Sequence, residues 1–74
     1  MTLRIRDVEV DNLNHYPETL VGSLRDALRN GAPVIPDPKR ANFFEVRSNG
    51  QVFYIDVRPV DHRVILLAAW PNRN

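Results

Sequence analysis

The sequence contains no cysteine, which excludes disulfide bridges and thiolate-bound zinc. It also lacks a long hydrophobic run. The longest apolar stretch, from Val64 to Trp70, is far shorter than the roughly 20 residues that a membrane-spanning helix needs. The first residues form no apolar secretory segment. From these absences we expect a cytoplasmic protein with no membrane partner.

The sequence has little excess charge. Ten basic and nine acidic residues give a net charge of +1, and Lys39 is the single lysine. Hydrophobic residues make up 43% of the 74 positions and charged residues 26%, which is typical of an ordinary globular chain. We therefore expect one small domain spanning 1–74. A near-neutral chain has no bulk electrostatic attraction to nucleic acid.

Few residues are suited to catalysis. The two histidines, His15 and His62, both fall in predicted turns and lack the spacing that binds a metal. The three glycines are isolated, so no glycine-rich phosphate loop is present. We accordingly expect no catalytic residue, no metal site and no cofactor.

The periodicity of residues 17–30 predicts one helix, from Pro17 to Asn30. Proline suits the first turn of a helix, and Gly31 supplies the left-handed residue that ends it. Gly22 either marks a close approach of another backbone or has no structural role. The apolar residues of this segment fall in one stripe, comprising Leu20, Val21, Leu24, Ala27 and Leu28.

The remaining segments predict four strands. Alternating residues from Leu3 to Val10 indicate a first strand with a bulge near Asp7, and the prolines of Ala32–Pro38 indicate a stiff extended connector. Asn49-Gly50 is typical of a tight hairpin turn, which pairs Val46 with Phe53. Pro59–His62 is read as a second turn. The apolar segment from Arg63 to Trp70 indicates a central strand buried on both faces.

The predicted fold is therefore α+β: a single β-α-β-β-β domain with a four-stranded, mostly antiparallel sheet and one helix packed on one face. The hairpin register places alternate residues on opposite faces of the sheet. The core between helix and sheet is predicted to contain Leu20, Val21, Leu24, Leu28, Phe44, Val46, Phe53 and Ile55.

The face away from the helix, called the outer face below, mixes aromatic and charged side chains. We expect its residues to form an interface, because one helix can shield only one sheet face and contiguous apolar patches usually mark contacts. The last strand adds either Val64, Leu66 and Ala68 or Ile65, Leu67 and Ala69. The hairpin contributes Phe43, Glu45, Arg47, Val52, Tyr54, Asp56 and Arg58.

Two kinds of partner suit this composition. Aromatic residues with arginine are typical of protein interfaces, and a homodimer or another protein partner is the leading hypothesis. The same residue types stack on single-stranded RNA, but the two acidic residues of the face favour protein. Glu45 and Asp56 could also serve as a carboxylate pair in acid–base chemistry; pairing with Arg47 and Arg58 is the favoured interpretation.

Lys39 and Arg40 form a candidate anion-binding site. They follow Asp37-Pro38 at the end of the stiff connector, so two cations are held close together and could bind a phosphate. The alternative interpretation is an ordinary solvated loop.

The chain has the element order strand, helix, three-strand meander, which resembles that of the RelE/ParE toxin superfamily. The stretch from Val52-Phe53-Tyr54-Ile55 to Leu66-Leu67-Ala68 carries the resemblance. The resemblance implies a small bacterial ribonuclease or gyrase poison neutralised by an antitoxin. It marks Arg47, Tyr54, Arg58 and Arg63 as the residues to examine. Those toxins usually have a second helix and a strongly basic composition. We keep an RNA-binding or RNA-cleaving protein of this type as the alternative to a non-enzymatic interaction module.

Overall fold

The computed structural model describes residues 9–58, 60–61 and 63–72. Within these residues one helix packs on one face of a mixed, five-stranded sheet with the order β1-β5-β4-β3-β2. β1 runs parallel to β5, and all other neighbours are antiparallel. In chain order the elements are β1 (Glu9–Asp11), α1 (Glu18–Arg29), β2 (Val34–Pro36), β3 (Phe43–Ser48), β4 (Gln51–Arg58) and β5 (Arg63–Pro71).

The hairpin of β3 and β4 forms as predicted. Asn49 and Gly50 have φ angles of 50° and 75°, both positive, as a type I′ turn requires. The turn sets the pairing of Val46 with Phe53 and of Ser48 with Gln51. Because turn chemistry and hydrophobic alternation specify the same register, the faces of β3 and β4 could be assigned from sequence.

The helix begins and ends one residue inside its predicted bounds. Pro17 precedes it with an extended ψ of 144°, and Asn30 follows it as the C-cap. Gly31 has a φ of 77°, so it supplies the left-handed residue expected at this end. The Ala32 N–H donates to the Ala27 carbonyl at 2.9 Å, which satisfies one of the last helical acceptors.

The predicted core is confirmed and is larger than expected. Leu24 and Phe53 are 0% and 1% exposed, whereas Leu20 and Phe44 are only partly buried against the cluster. Strand residues on the helix face complete the core, namely Val57, Val64 and Leu66.

Gly22 has no steric role in the helix. A Cβ atom at this position would meet nothing within 4 Å, so the close approach considered above does not occur.

We expect Gly22→Ala to raise the free energy of unfolding by about 0.5–1 kcal/mol, because alanine loses less conformational entropy in a helix. Urea denaturation measures the change. Gly31→Ala is the control and should destabilise, because Gly31 has a positive φ. A neutral or destabilising Gly22→Ala would contradict this account.

The proline-rich connector contains a strand, so the four-strand prediction is wrong. Val34 pairs with Val46, and the Arg47 N–H donates to the Pro33 carbonyl at 3.3 Å. The prolines masked this strand because proline cannot donate to a central ladder. An edge strand tolerates proline, since one of its sides has no partner.

Neither alternation predicted for β5 is right, because this strand contains a β-bulge. Ile55 pairs with Leu66 but Tyr54 pairs with Ala68, so Leu67 is an extra residue. The bulge reverses the alternation and places Ile65, Ala68 and Trp70 on the outer face. β5 lies between β1 and β4, as expected of an interior strand, but Ile65 and Ala68 are only half-buried rather than buried on both faces.

Beyond the end of β1, the backbone carbonyls of β5 are hydrogen-bonded by side chains of the loop that follows β1. The Asn14 amide donates to the Leu66 carbonyl at 3.2 Å, and the Tyr16 hydroxyl donates to the Leu67 carbonyl at 2.9 Å. Asn12 holds this loop through hydrogen bonds with the backbone of Tyr16 at 2.6 and 2.7 Å. Side chains thus replace a neighbouring strand where the bulge lies.

Parts of two predicted segments lie outside the described residues. They are positions 1–8 of the first strand, and Pro59 and His62 of the second turn. Val60 and Asp61 do form a turn. Over the described part of the chain, no helix combines the length and hydropathy needed to cross a bilayer.

Candidate interaction face

An aromatic row crosses the outer face. Phe43, Tyr54 and Trp70 lie on β3, β4 and β5, and successive ring centroids are 5.6 and 6.5 Å apart. Tilted aromatic pairs at these distances attract each other beyond the effect of area burial. Three neighbouring strands therefore present one continuous π surface opposite the helix.

The outer face is only partly covered by the chain itself. Val52 is 3% exposed and Asp56 is 8% exposed, so the single chain already buries both residues. No second chain is needed to cover Val52, in contrast to the prediction. The accessible apolar surface is carried instead by the half-buried Phe43 and Tyr54 and by Trp70, which is 41% exposed.

The charges of the outer face pair along each strand. The Arg47 guanidinium lies 3.8 Å from the Glu45 carboxylate on β3, and Arg58 Nε lies 3.1 Å from the Asp56 carboxylate on β4. Such partly exposed pairs contribute at most about 1 kcal/mol each. They nevertheless match the favoured interpretation, in which the two acids neutralise arginines instead of acting together as an acid–base pair.

Asp37 fastens the β2–β3 loop to the outer face. One carboxylate oxygen accepts a hydrogen bond from the Tyr54 hydroxyl at 2.5 Å, and the other accepts the Lys39 N–H at 2.8 Å. The Asp37 N–H donates to the Phe43 carbonyl at 2.8 Å. The Tyr54 hydrogen bond lowers the pKa of the Asp37 carboxyl, and the same bond raises the pKa of the Tyr54 hydroxyl.

The candidate anion site, Lys39 and Arg40, lies in this loop. Arg40 places its guanidinium carbon 5.6 Å from the Phe43 ring centroid, so it extends the aromatic row by a cation–π contact. The Asp37 carboxylate bonds to the Lys39 backbone beside these cations. Its negative charge reduces their attraction for an anion.

The Asp37–Tyr54 bond predicts a pH dependence. A lowered carboxyl pKa stabilises the folded state above the ordinary value near 4, and this contribution is lost as pH falls through the folded pKa. The raised tyrosine pKa contributes below about pH 10 and is lost as pH rises through the folded value. The difference in free energy of unfolding between the native protein and Tyr54→Phe should therefore be largest between these two pH limits. It should decrease at lower and at higher pH.

NMR titration of the Asp37 carboxyl carbon checks the cause directly. In Tyr54→Phe the pKa of Asp37 should move up towards its ordinary value. Tyr16→Phe is the matched control, because it removes a hydroxyl bonded to the Leu67 carbonyl and leaves Asp37 untouched. An unchanged Asp37 pKa in Tyr54→Phe would show that the hydrogen bond is absent.

All seven hairpin residues predicted for the outer face lie there. Ile35, opposite Glu45, and Trp70, opposite Val52, also lie on this face and were missed, as was the contact of Asp37 with Tyr54. Trp70 was missed because the bulge reverses the alternation of β5, and Ile35 because β2 was taken for a connector. Asp37 reaches Tyr54 only through the tertiary fold. Within the described ranges, no group of three histidine, aspartate or glutamate residues is placed to hold a metal ion.

Comparisons with protein-family models, characterised proteins and solved structures find no match to this chain. The toxin-type alternative thus depends on the order of elements alone. The structure alters that order by adding β2 between the helix and the meander. The assignment of function therefore depends on the geometry of the outer face.

Proposed function

We propose that this protein is a non-enzymatic interaction module that forms a homodimer through its outer face. The observation that carries the proposal is the aromatic row of Phe43, Tyr54 and Trp70, which stands on the sheet face opposite the only helix of the described residues. Aromatic residues and arginine are the usual anchors of protein interfaces. Arg40 lies over the Phe43 ring, and Arg47 stands opposite Val52 on the same face.

The edges of the sheet are less suited to self-association than the face. β2 forms one edge, has three residues, and carries Pro36, which has no N–H to donate to another strand. On the opposite side, the described part of β1 spans Glu9–Asp11, and Asn14 and Tyr16 occupy the β5 carbonyls beyond it. A second molecule would therefore dock face to face.

A second copy suits the charges of this face. Glu45 and Arg47 alternate on β3, and on β4 Arg58 is paired with Asp56, which the chain itself buries. In a two-fold dimer Glu45 can approach an arginine of the other copy, and a face with balanced charges does not repel itself. A polyanion would meet no net positive charge from these four residues.

The sheet is large enough for a small interface. Five strands spaced about 4.8 Å apart and a central strand of 8 residues rising about 3.3 Å each give a face of about 19 by 26 Å, or roughly 500 Å². Two such faces would bury about 1,000 Å², the lower bound for specific association. We therefore expect a dimer of modest affinity.

Single-stranded RNA is the second candidate, because stacked rings with Arg40 at one end also suit unpaired bases. The arginines that the toxin resemblance marks count against it. Arg47, Arg58 and Arg63 each lie within 3.8 Å of a carboxylate, from Glu45, Asp56 and Asp11 respectively. These carboxylates compete with phosphate for the guanidinium groups.

Light scattering after size-exclusion chromatography tests the proposal, with runs at low and high salt and with a single-stranded RNA added. A dimer has twice the chain mass of 8.5 kDa. We expect that mass at both salt concentrations and no binding of RNA, because burial of apolar surface is not screened by salt. A monomer at every concentration overturns the proposal. RNA binding that weakens steeply with salt would favour the toxin-type alternative.

A further inference from the structure

We propose that a crevice between the helix and the β3–β4 turn binds a short organic ammonium ion. The crevice has a volume of about 210 Å³ and lies on the opposite side of the sheet from the outer face. Its walls are the side of α1 that carries Leu20, Ser23 and Ala27, and the residues around Asn49-Gly50. The proposal does not depend on dimer formation.

The lining carries one charge, and that charge is negative. Ser23, Asp26 and Asn30 are three and four residues apart on α1, so they fall on one side of the helix. Among the described residues, no lysine or arginine lines the crevice, although the chain has ten basic residues. Asp26 therefore sets the electrostatic preference of the site, which is for a cation.

The lining also carries neutral hydroxyl and amide groups. Ser48, Asn49 and Gln51 contribute hydroxyl and amide groups from the turn. On the helix, the Ser23 hydroxyl donates to the Thr19 carbonyl at 2.9 Å, so the lone pairs of its oxygen remain as acceptors. An ammonium group has three N–H donors and no acceptor, so it can donate to the Asp26 carboxylate and to the hydroxyl and amide oxygens of this lining.

The position of the crevice near the end of α1 adds to the preference for a cation. Asp26 and Asn30 lie at the C-terminal end of α1, where the helix dipole is negative. Arg29, in the last turn, is exposed and stands outside the lining. An anion would meet both the Asp26 carboxylate and the negative end of the dipole.

The size and rigidity of the crevice define the ligand. A volume of about 210 Å³ lies below the roughly 300–1,000 Å³ of pockets for drug-sized ligands, which suits a small amine of four or five carbons. Leu20, Ala27 and Phe53 provide an apolar part of the lining for the alkyl chain. The turn is held in place by the Asn72 N–H, which donates to the Gly50 carbonyl at 2.8 Å.

An NMR titration of the full chain with butylammonium chloride tests the proposal, with 1-butanol as the uncharged probe of equal size. Ionic strength is matched with sodium chloride. We expect saturable amide shifts confined to residues 20–30 and 48–53 with butylammonium, and none of comparable size with butanol. Asp26→Asn should weaken binding about tenfold, equal to about 1.4 kcal/mol. Asp61→Asn is the control, because Asp61 is an exposed acid in the turn at the opposite end of β4, and it should leave binding unchanged.

Three results would overturn the inference. Equal shifts with butanol would show that the crevice takes an apolar chain without regard to charge. Shifts that do not saturate, or that also occur around Asp61, would show general counter-ion binding. Unchanged affinity in Asp26→Asn, with an intact amide spectrum, would show that this carboxylate does not hold the ligand.

Discussion

Replacing Phe53 by alanine should lower the free energy of unfolding by about 3–5 kcal/mol. Phe53 is 1% exposed and lies on β4 within the core, so its removal leaves a cavity that neighbouring residues cannot fill. A domain of 74 residues has a total stability of about 4–11 kcal/mol. The variant should therefore lose a large part of its stability, and chemical denaturation followed by circular dichroism measures the loss.

Phe43→Ala is the matched control for this prediction. The residue type is the same and the strand is adjacent, but Phe43 lies half-buried on the outer face instead of in the core. Its removal should cost much less than the removal of Phe53. Equal losses for the two variants, or a melting curve of Phe53→Ala that matches that of the native protein, would contradict the placement of the core.

Replacing Trp70 by lysine should dissociate the proposed dimer. Trp70 is 41% exposed at the end of the aromatic row, so the change should leave the fold intact while it removes an anchor and adds a charge. A tryptophan that anchors an interface contributes about 2 kcal/mol or more. A two-fold interface contains it twice, so the dissociation constant should rise about 1,000-fold. Sedimentation equilibrium over a range of concentrations measures the change.

Val60→Lys controls for the loss of an exposed apolar residue. Val60 is 92% exposed in the turn between β4 and β5 and is not part of the outer face. This variant should dimerise as the native protein does. If both lysine variants dissociate, added charge alone explains the effect. If neither dissociates, the dimer forms through another surface.

The sequence predicted those parts of the fold in which several local signals agree. Asn49-Gly50 and the alternation of the flanking residues specify one register, and the stripe from Leu20 to Leu28 together with Gly31 specifies the helix. Each signal is local in the chain and is read from residue types alone. The core and the hairpin part of the outer face follow from these two elements.

The missed features depend on contacts that are distant in sequence. The bulge at Leu67 is stabilised by Tyr16, 51 residues earlier, and no residue type within β5 indicates it. β2 is a strand because its partner is β3, although its prolines argue for a connector. Trp70 and Asp37 could be placed on the outer face only once these two features were known.

The most direct test of the proposed dimer uses the fluorescence of Trp70, which is the only tryptophan of the chain. Emission and acrylamide quenching are recorded over a range of protein concentrations, together with the mass by light scattering. If the outer faces meet, the emission should shift to the blue and quenching should fall as the mass doubles, because the exposed ring becomes buried. A mass that doubles with no change in the emission, or a mass that stays at one chain throughout, would contradict the account.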